Sequence, residues 1–115
     1  MKRLLGTKKL LKIYIDTNDK HAGEPLWQAI LKEARAMGLS GATVYKSVSG
    51  LGIHSEIKTA HIVALSQSLP LVIEMIDAEE KIKAFLTKLD EIMEEGLVTL
   101  SDVEVMQYKH KEHHA

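Results

Sequence analysis

The chain contains no cysteine, which excludes disulfides, thiol nucleophiles and cysteine-ligated zinc, and so any redox chemistry at sulfur. It also lacks an excess of either charge: 15 Lys and Arg stand against 16 Asp and Glu. A summed field this close to neutral gives no basis for sequence-independent binding to nucleic acid or to anionic membrane. Long apolar runs are missing as well. The longest, residues 69–76, is interrupted by Pro70 and Glu74 and falls far short of the roughly 20 residues a spanning helix needs. The first eleven residues mix Lys2, Arg3, Lys8 and Lys9 with short apolar pairs, which is too little for the apolar core of a signal peptide. These absences lead to the expectation of a soluble, cytoplasmic protein. A catalytic constellation is missing too. Ser47, Ser49, Ser55 and Ser66 have no His and acid in a recognisable triad context, and Glu79-Glu80 and Glu94-Glu95 flank a helix as solvated charge. The expectation is a protein that is not an enzyme.

What is present reads as one domain, since 115 residues fit a single core. Leu11, Ile13 and Ile15 alternate with Leu10, Lys12, Tyr14 and Asp16, the period of two that marks a first strand. Residues 16–24 read as loop. Pro25 suits the start of a helix whose apolar positions are Leu26, Ile30, Ala34 and Met37, with Gly38 placed to end it. Ala42, Val44 and Val48, alternating with Thr43, Tyr45 and Ser47, predict a second strand stopped at Gly50 and Gly52. Residues 69–77 are the third strand. Asp77, with Glu80 three residues on, reads as the N-cap of a second helix, whose stripe of Ile82, Phe85, Leu86, Leu89, Ile92 and Met93 ends at Gly96. Val103 and Val105 alternate with Glu104, Met106 and Tyr108 as a fourth strand, with a short extended piece at residues 98–100 before it.

The order βαββαβ predicts an α+β, ferredoxin-like fold: a four-stranded antiparallel sheet with two helices on one face, because right-handed crossovers put both helices on the same side. A sheet with one wet face should alternate cleanly, yet the third strand carries Leu71, Ile73 and Met75 on one side and Val72 and Ile76 on the other. Tyr14 and Leu10 add to the second set. The second face is therefore expected to be covered by another subunit; the alternative is that residues 54–68 fold over it. The core domain is assigned to residues 10–108, between an N-terminal extension, 1–9, and a polar tail, 109–115.

Several ordered motifs carry a family resemblance. The run Pro25-Leu26-Trp27-Gln28-Ala29-Ile30, then Gly38-Leu39-Ser40-Gly41-Ala42-Thr43-Val44-Tyr45, then Gly50-Leu51-Gly52 resembles the uncharacterised PII-like family, related to the nitrogen-regulatory PII proteins and to CutA. Leu69-Pro70-Leu71-Val72-Ile73-Glu74 and Gly96-Leu97-Val98-Thr99 fit the same pattern. The resemblance implies a homotrimer with open sheet faces turned toward the threefold axis. It also implies an adenine nucleotide in the cleft between protomers, and signalling through residues 50–68 to a partner such as a membrane transporter or an enzyme. The chain departs from the family in having Leu51 where an aromatic residue is common and Lys58 where a His is frequent. PII proteins hold phosphates with a basic, glycine-rich loop after the second helix, whereas Glu94-Glu95-Gly96-Leu97-Val98-Thr99 is acidic with one glycine. AMP or ADP is then accommodated more easily than a triphosphate.

The nucleotide-binding candidates are Gly50, Leu51 and Gly52, whose backbone donors a glycine-rich turn can bring close to a ligand; His54 in the following loop; and Gly96, Leu97, Val98 and Thr99. Gly96 has a second reading as the cap of the second helix. Glu56, Lys58 and His61 share the central loop with His54. His54 and His61 together are the weaker alternative, a divalent-metal pair in a CutA-like protein; a ligand-free interaction adaptor is the other alternative. His110, His113 and His114 lie in a polar terminus. Trp27 is expected to pack at a core margin rather than stack on a base.

Overall fold

The alternation at Leu11, Ile13 and Ile15 places those side chains on one face of the central strand, where none is more than 6% exposed. In the computed structural model, which describes residues 5–47, 49–51, 57–59, 69–109 and 111, that strand is β1 (Gly6–Asp16). It is followed by β2 (Lys20–His21), β3 (Glu24–Pro25), α1 (Leu26–Ala36), β4 (Thr43–Lys46), β5 (Ser49–Leu51), β6 (Ile57–Thr59), β7 (Pro70–Asp77), α2 (Glu79–Ile92) and β8 (Leu97–Val105). The main sheet runs in the order β4-β7-β1-β8, every neighbouring pair antiparallel. Ile13 lies opposite Ile73, Leu11 opposite Met75 and Ile15 opposite Leu71. These six meet Leu26, Ile30 and Ala34 of α1 and Ile82, Phe85, Leu89 and Ile92 of α2 in one core. Each fully buried large side chain is worth about 1.5–3 kcal/mol in removal from water, so this layer of helices on one sheet face supplies most of the stabilisation. The ferredoxin-like α+β architecture is the one the sequence predicts.

Four boundaries differ from the expectation, each for a local reason. The loop expected at residues 16–24 contains the small hairpin of β2 and β3, turned by Ala22 (φ 50°) and Gly23 (φ 82°), two left-handed residues as a tight hairpin requires. The fourth strand is β8, starting at Leu97 and ending at Val105. The short piece at residues 98–100 is its front half, and Met106 and Tyr108 lie beyond it. The second strand ends at Lys46, and Gly50 and Leu51 belong to a separate ladder with Lys58 and Ile57 instead of stopping a strand. The helix cap at the C-terminal end of α2 is Met93, not Gly96. By contrast, Gly38 (φ 75°) ends α1 as predicted. Its N–H donates to Arg35 O at 3.1 Å and the Leu39 N–H to Ala34 O at 3.0 Å, the paired bonds of a Schellman motif, and Lys81 Nζ donates to Gly38 O at 2.8 Å.

Asp77 does not cap α2. The capping position is Ala78, without a side-chain cap bond, because the Asp77 carboxylate is used elsewhere. Asp77 is 4% exposed; its Oδ2 accepts from the Ser40 N–H at 2.8 Å and its Oδ1 from the Ala78 N–H at 2.7 Å. One buried carboxylate thus ties the turn after α1 to the junction of β7 and α2. A second tie lies at the other end of β7. The Thr17 N–H donates to Leu69 O at 2.8 Å, and the Leu69 N–H donates to Thr17 Oγ1 at 2.8 Å. The hydroxyl stands in for a backbone carbonyl and lets β1 peel away toward α1 while Leu69, 6% exposed, keeps its donor satisfied.

The second face of the sheet is apolar across all four strands. Tyr45 lies opposite Val72, Val72 opposite Tyr14, and Tyr14 opposite Leu97, while Leu10 faces Ile76. Tyr45 and Leu97 are 51% and 56% exposed. A polar row crosses it: Thr43, Glu74, Lys12 and Thr99 lie side by side, with Lys12 Nζ and Glu74 Oε2 3.7 Å apart, and Ser101 faces Leu10.

Removing either tie leaves part-buried donors without acceptors, a loss of about 1–3 kcal/mol. Urea unfolding should show Asp77→Ala destabilised by that amount, with Asp77→Asn intermediate because one carbonyl oxygen replaces two acceptors. Thr17→Val should lose a similar amount and Thr17→Ser, which keeps the hydroxyl, much less; equal losses for the two would refute the hydroxyl's role.

Candidate functional site

The ends of the segment between β4 and β7 are held close together. The Ser47 N–H donates to Pro70 O at 3.0 Å, extending the pairing of Lys46 with Leu71 by one step. On the other side Leu69 is fixed by Thr17. The two flanks of residues 48–68 are thus hydrogen-bonded in place, Ser47 at the end of the edge strand β4 to Pro70, and Leu69 to Thr17. Within the segment, Gly50 and Leu51 pair with Lys58 and Ile57, so this stretch is strand ladder where the sequence reading had an open glycine turn. Gly52, His54, Glu56 and His61 lie outside the described residues.

The second cluster of candidates, Gly96 to Thr99, sits at the opening of β8. Gly96 has φ 134°, in the region that favours glycine. A Cβ there would lie 2.6 Å from Tyr14 O and 2.6 Å from Met93 Cε. The methionine tip can move; the backbone carbonyl cannot without disturbing β1 where it pairs with β7 and β8. Glycine is therefore required for close approach of two backbones, a different reason from helix capping. After Gly96 the strand alternation separates the candidates. Leu97 and Thr99 lie opposite Tyr14 and Lys12 on the open face. Val98, opposite Ile13, points to the helix side.

On that helix side a groove of about 300 Å³ separates α2 from β8, lined by Leu86, Leu89, Asp90, Met93, Glu94, Glu95, Gly96 and Val98. Its floor is apolar and its rim acidic. The sequence shows both parts, but the periodicity assigns Leu86 and Met93 to the core stripe of α2. They become groove walls because β8 is an edge strand that α2 does not fully cover. Val98 and Leu100 remain 38% and 42% exposed although they face the helix layer. Thr17 and Asp77, the two side chains that fix the chain at either end of β7, were not singled out as anchors; the turn-forming run Asp16-Thr17-Asn18-Asp19 was the available signal, and the Asn18 N–H does donate to Asp16 Oδ1 at 3.1 Å. Trp27 packs against the core margin. Among the described residues no group of three His, Asp or Glu is placed to hold a metal ion, and no helix is long and apolar enough to cross a membrane.

The fold is shared with proteins of known structure. CPII, a nitrogen-regulatory PII-like protein from Thiomonas intermedia K12 bound to ADP, AMP and bicarbonate, matches with a TM-score of 0.64 at 19% identity, over 88% of this chain and 90% of its own. The Bacillus subtilis GlnK-ATP complex matches with a TM-score of 0.55 at 11% identity, over 86% and 84%. Two sequence relatives are much nearer. A UPF0166 protein of Aquifex aeolicus is 42% identical over 99 residues, 86% of this chain and 93% of the relative. One from Methanocaldococcus jannaschii is 41% identical over 98 residues, 84% and 90%. The model of the DUF190 family, described as an uncharacterised conserved group, matches residues 8–105, the span from β1 to the end of β8, and the chain therefore belongs to this DUF190 (UPF0166) family with its PII-like fold.

Proposed function

We propose that this protein is a PII-like regulator, not an enzyme, that assembles as a homotrimer and takes an adenine nucleotide, AMP or ADP, at clefts between protomers. Occupancy is read out through residues 50–68 by a protein partner, a membrane transporter or an enzyme. The observation that carries this reading is the fold shared with CPII, a protein described as bound to ADP and AMP. Two features of this chain support it. The apolar ladder of Tyr45, Val72, Tyr14 and Leu97 is the kind of surface a monomer does not leave in water. Both ends of the segment that would report occupancy are tied to the central strands, so ordering of that segment can be coupled to a ligand at its base.

Charge sets the preference among nucleotides. Thr99 lies on the open face beside Lys12, whereas Glu94 and Glu95 sit at the turn into the same strand. Each added phosphate brings more negative charge toward that acidic turn, and repulsion between like charges grows with it. The order of affinity follows as AMP and ADP ahead of ATP.

A thermal-shift series with AMP, ADP, ATP, cyclic AMP and S-adenosylmethionine at millimolar concentration checks the ligand. AMP or ADP should raise Tm, by the equivalent of about 2.7 kcal/mol at a hundredfold excess over Kd, and ATP less; absence of any shift would overturn nucleotide binding. Light scattering after size exclusion should give three times the 12.8 kDa chain mass, and Tyr14→Asp with Leu97→Asp should reduce it to one. A wild-type monomer at micromolar concentration would end the trimer reading.

A further inference from the structure

We infer that Lys12 and Glu74 pair between protomers, the Lys12 of one copy with the Glu74 of the next, and so fix the register of the assembly and restrict it to copies of this chain. The inference rests on the assembly reading above and names the contact that selects the partner within it. The open face of the sheet is striped. Tyr45, Val72, Tyr14 and Leu97 form one row, Thr43, Glu74, Lys12 and Thr99 the polar row beside it, and Ile76, Leu10 and Ser101 a third. Successive rows are two residues apart along each strand, about 7 Å. A subunit that covers the apolar rows therefore covers the charges between them as well.

The pair is placed to be completed from outside. Lys12 Nζ and Glu74 Oε2 lie 3.7 Å apart, with side chains 37% and 29% exposed. That separation is an ion pair but too long for a hydrogen bond. It leaves ammonium donors and carboxylate lone pairs for other groups. Water can answer them on an open face. Beneath a second subunit the water is lost, and a desolvated charge without a hydrogen-bonded counter-charge is strongly unfavourable. The covering surface must therefore bring an anion to Lys12 and a cation to Glu74, with apolar groups on either side.

The same face of a second copy has that composition, one cation on β1 and one anion on β7 between two apolar rows. With 15 basic and 16 acidic residues, two copies also meet without long-range repulsion. In a closed cyclic assembly each protomer presents one patch to the next and a different patch to the one before. Lys12 and Glu74 supply two such unlike patches. Each protomer gives one cation and receives one, and three copies close into a ring in which the charges alternate. A face with two like charges at these positions would leave buried charges opposed, which excludes it as a partner.

The charge swap Lys12→Glu with Glu74→Lys separates pairing between protomers from pairing within one. Either kind of pairing satisfies the swapped chain among its own copies, but only pairing between protomers sets it against the native chain, lysine on lysine and glutamate on glutamate. Affinity-tagged native chain is unfolded and refolded together with untagged native or untagged swapped chain, and the captured chain is measured. The swapped chain alone should reach the native assembly mass by light scattering, yet be captured at least tenfold less than untagged native chain. The swap Glu79→Lys with Lys83→Glu, at an exposed pair on α2, should be captured as well as the native. Lys12→Glu alone and Glu74→Lys alone should each fall to the monomer mass and capture one another when mixed. Equal capture of the swapped and native chains, single variants that assemble as completely as the native, or a folded swapped chain that stays monomeric while the native assembles would each overturn the inference. If the swapped chain does not fold, the single variants decide. A native trimer that mixes freely with the swapped chain removes the pair and leaves the assembly reading standing, whereas a monomeric native chain removes both.

Discussion

The register of β1 against β7 is the constraint on which the remaining structure depends. With Ile13 opposite Ile73 and Leu11 opposite Met75, every second residue of the two central strands points into the helix layer. A slip by one residue would send Lys12 and Glu74 into the core and the isoleucines into water. The same register puts Tyr14, Val72, Leu10 and Ile76 on the opposite face, so the surface available for assembly is a direct product of core formation. Asp77 and Thr17, at the two ends of β7, keep that register from fraying where the chain departs for α1 and α2.

Electrostatics is distributed unevenly along β8. At the end near Gly6, Lys9 pairs with Asp102. That hydrogen bond, together with the nearby charges of Asp102 and Glu79, raises the lysine above its ordinary range against a smaller opposing effect of burial. Glu79 is lowered chiefly by its hydrogen bond from Lys83, then by the charges of Lys83 and Lys9. Opposite signs alternate there along a surface network. At the Leu97 end, Asp90 and Glu94 have no such partners among the described residues. A protein near overall neutrality thus carries a locally acidic corner beside the groove between α2 and β8.

The architecture was legible because it rests on period. Two helices with stripes at three- and four-residue spacing and strands with two-residue spacing define the ferredoxin-like order, and Gly38 marks the end of α1 by the chemistry that glycine supplies there. The failures have physical causes. Asp77 has the spacing of a helix cap, but its carboxylate is claimed by Ser40, 37 residues away, and a tertiary contact of that kind leaves no local trace. Gly96 was read as a cap, whereas the close carbonyl of Tyr14 is what demands glycine. β8 was split in two because Thr99, Ser101 and Asp102 weaken its alternation, yet an edge strand has little burial to enforce alternation. Of the candidate site the sequence marks residues and not their placement: Gly96 to Thr99 divide between two faces of β8, and Gly50 and Leu51 fall in a ladder with Lys58 and Ile57, because pairing partners distant in sequence decide both.

The stitching of Ser47 to Pro70 and of Thr17 to Leu69 has a consequence for chain length. The intervening segment leaves and re-enters the sheet through fixed, adjacent points, so its length is nearly decoupled from the stability of the domain. Doubling such an insertion costs only about 0.6 kcal/mol in closure entropy, less than one hydrogen bond at its base. The number of residues between Ser47 and Leu69 can therefore change at little cost to the core beneath it.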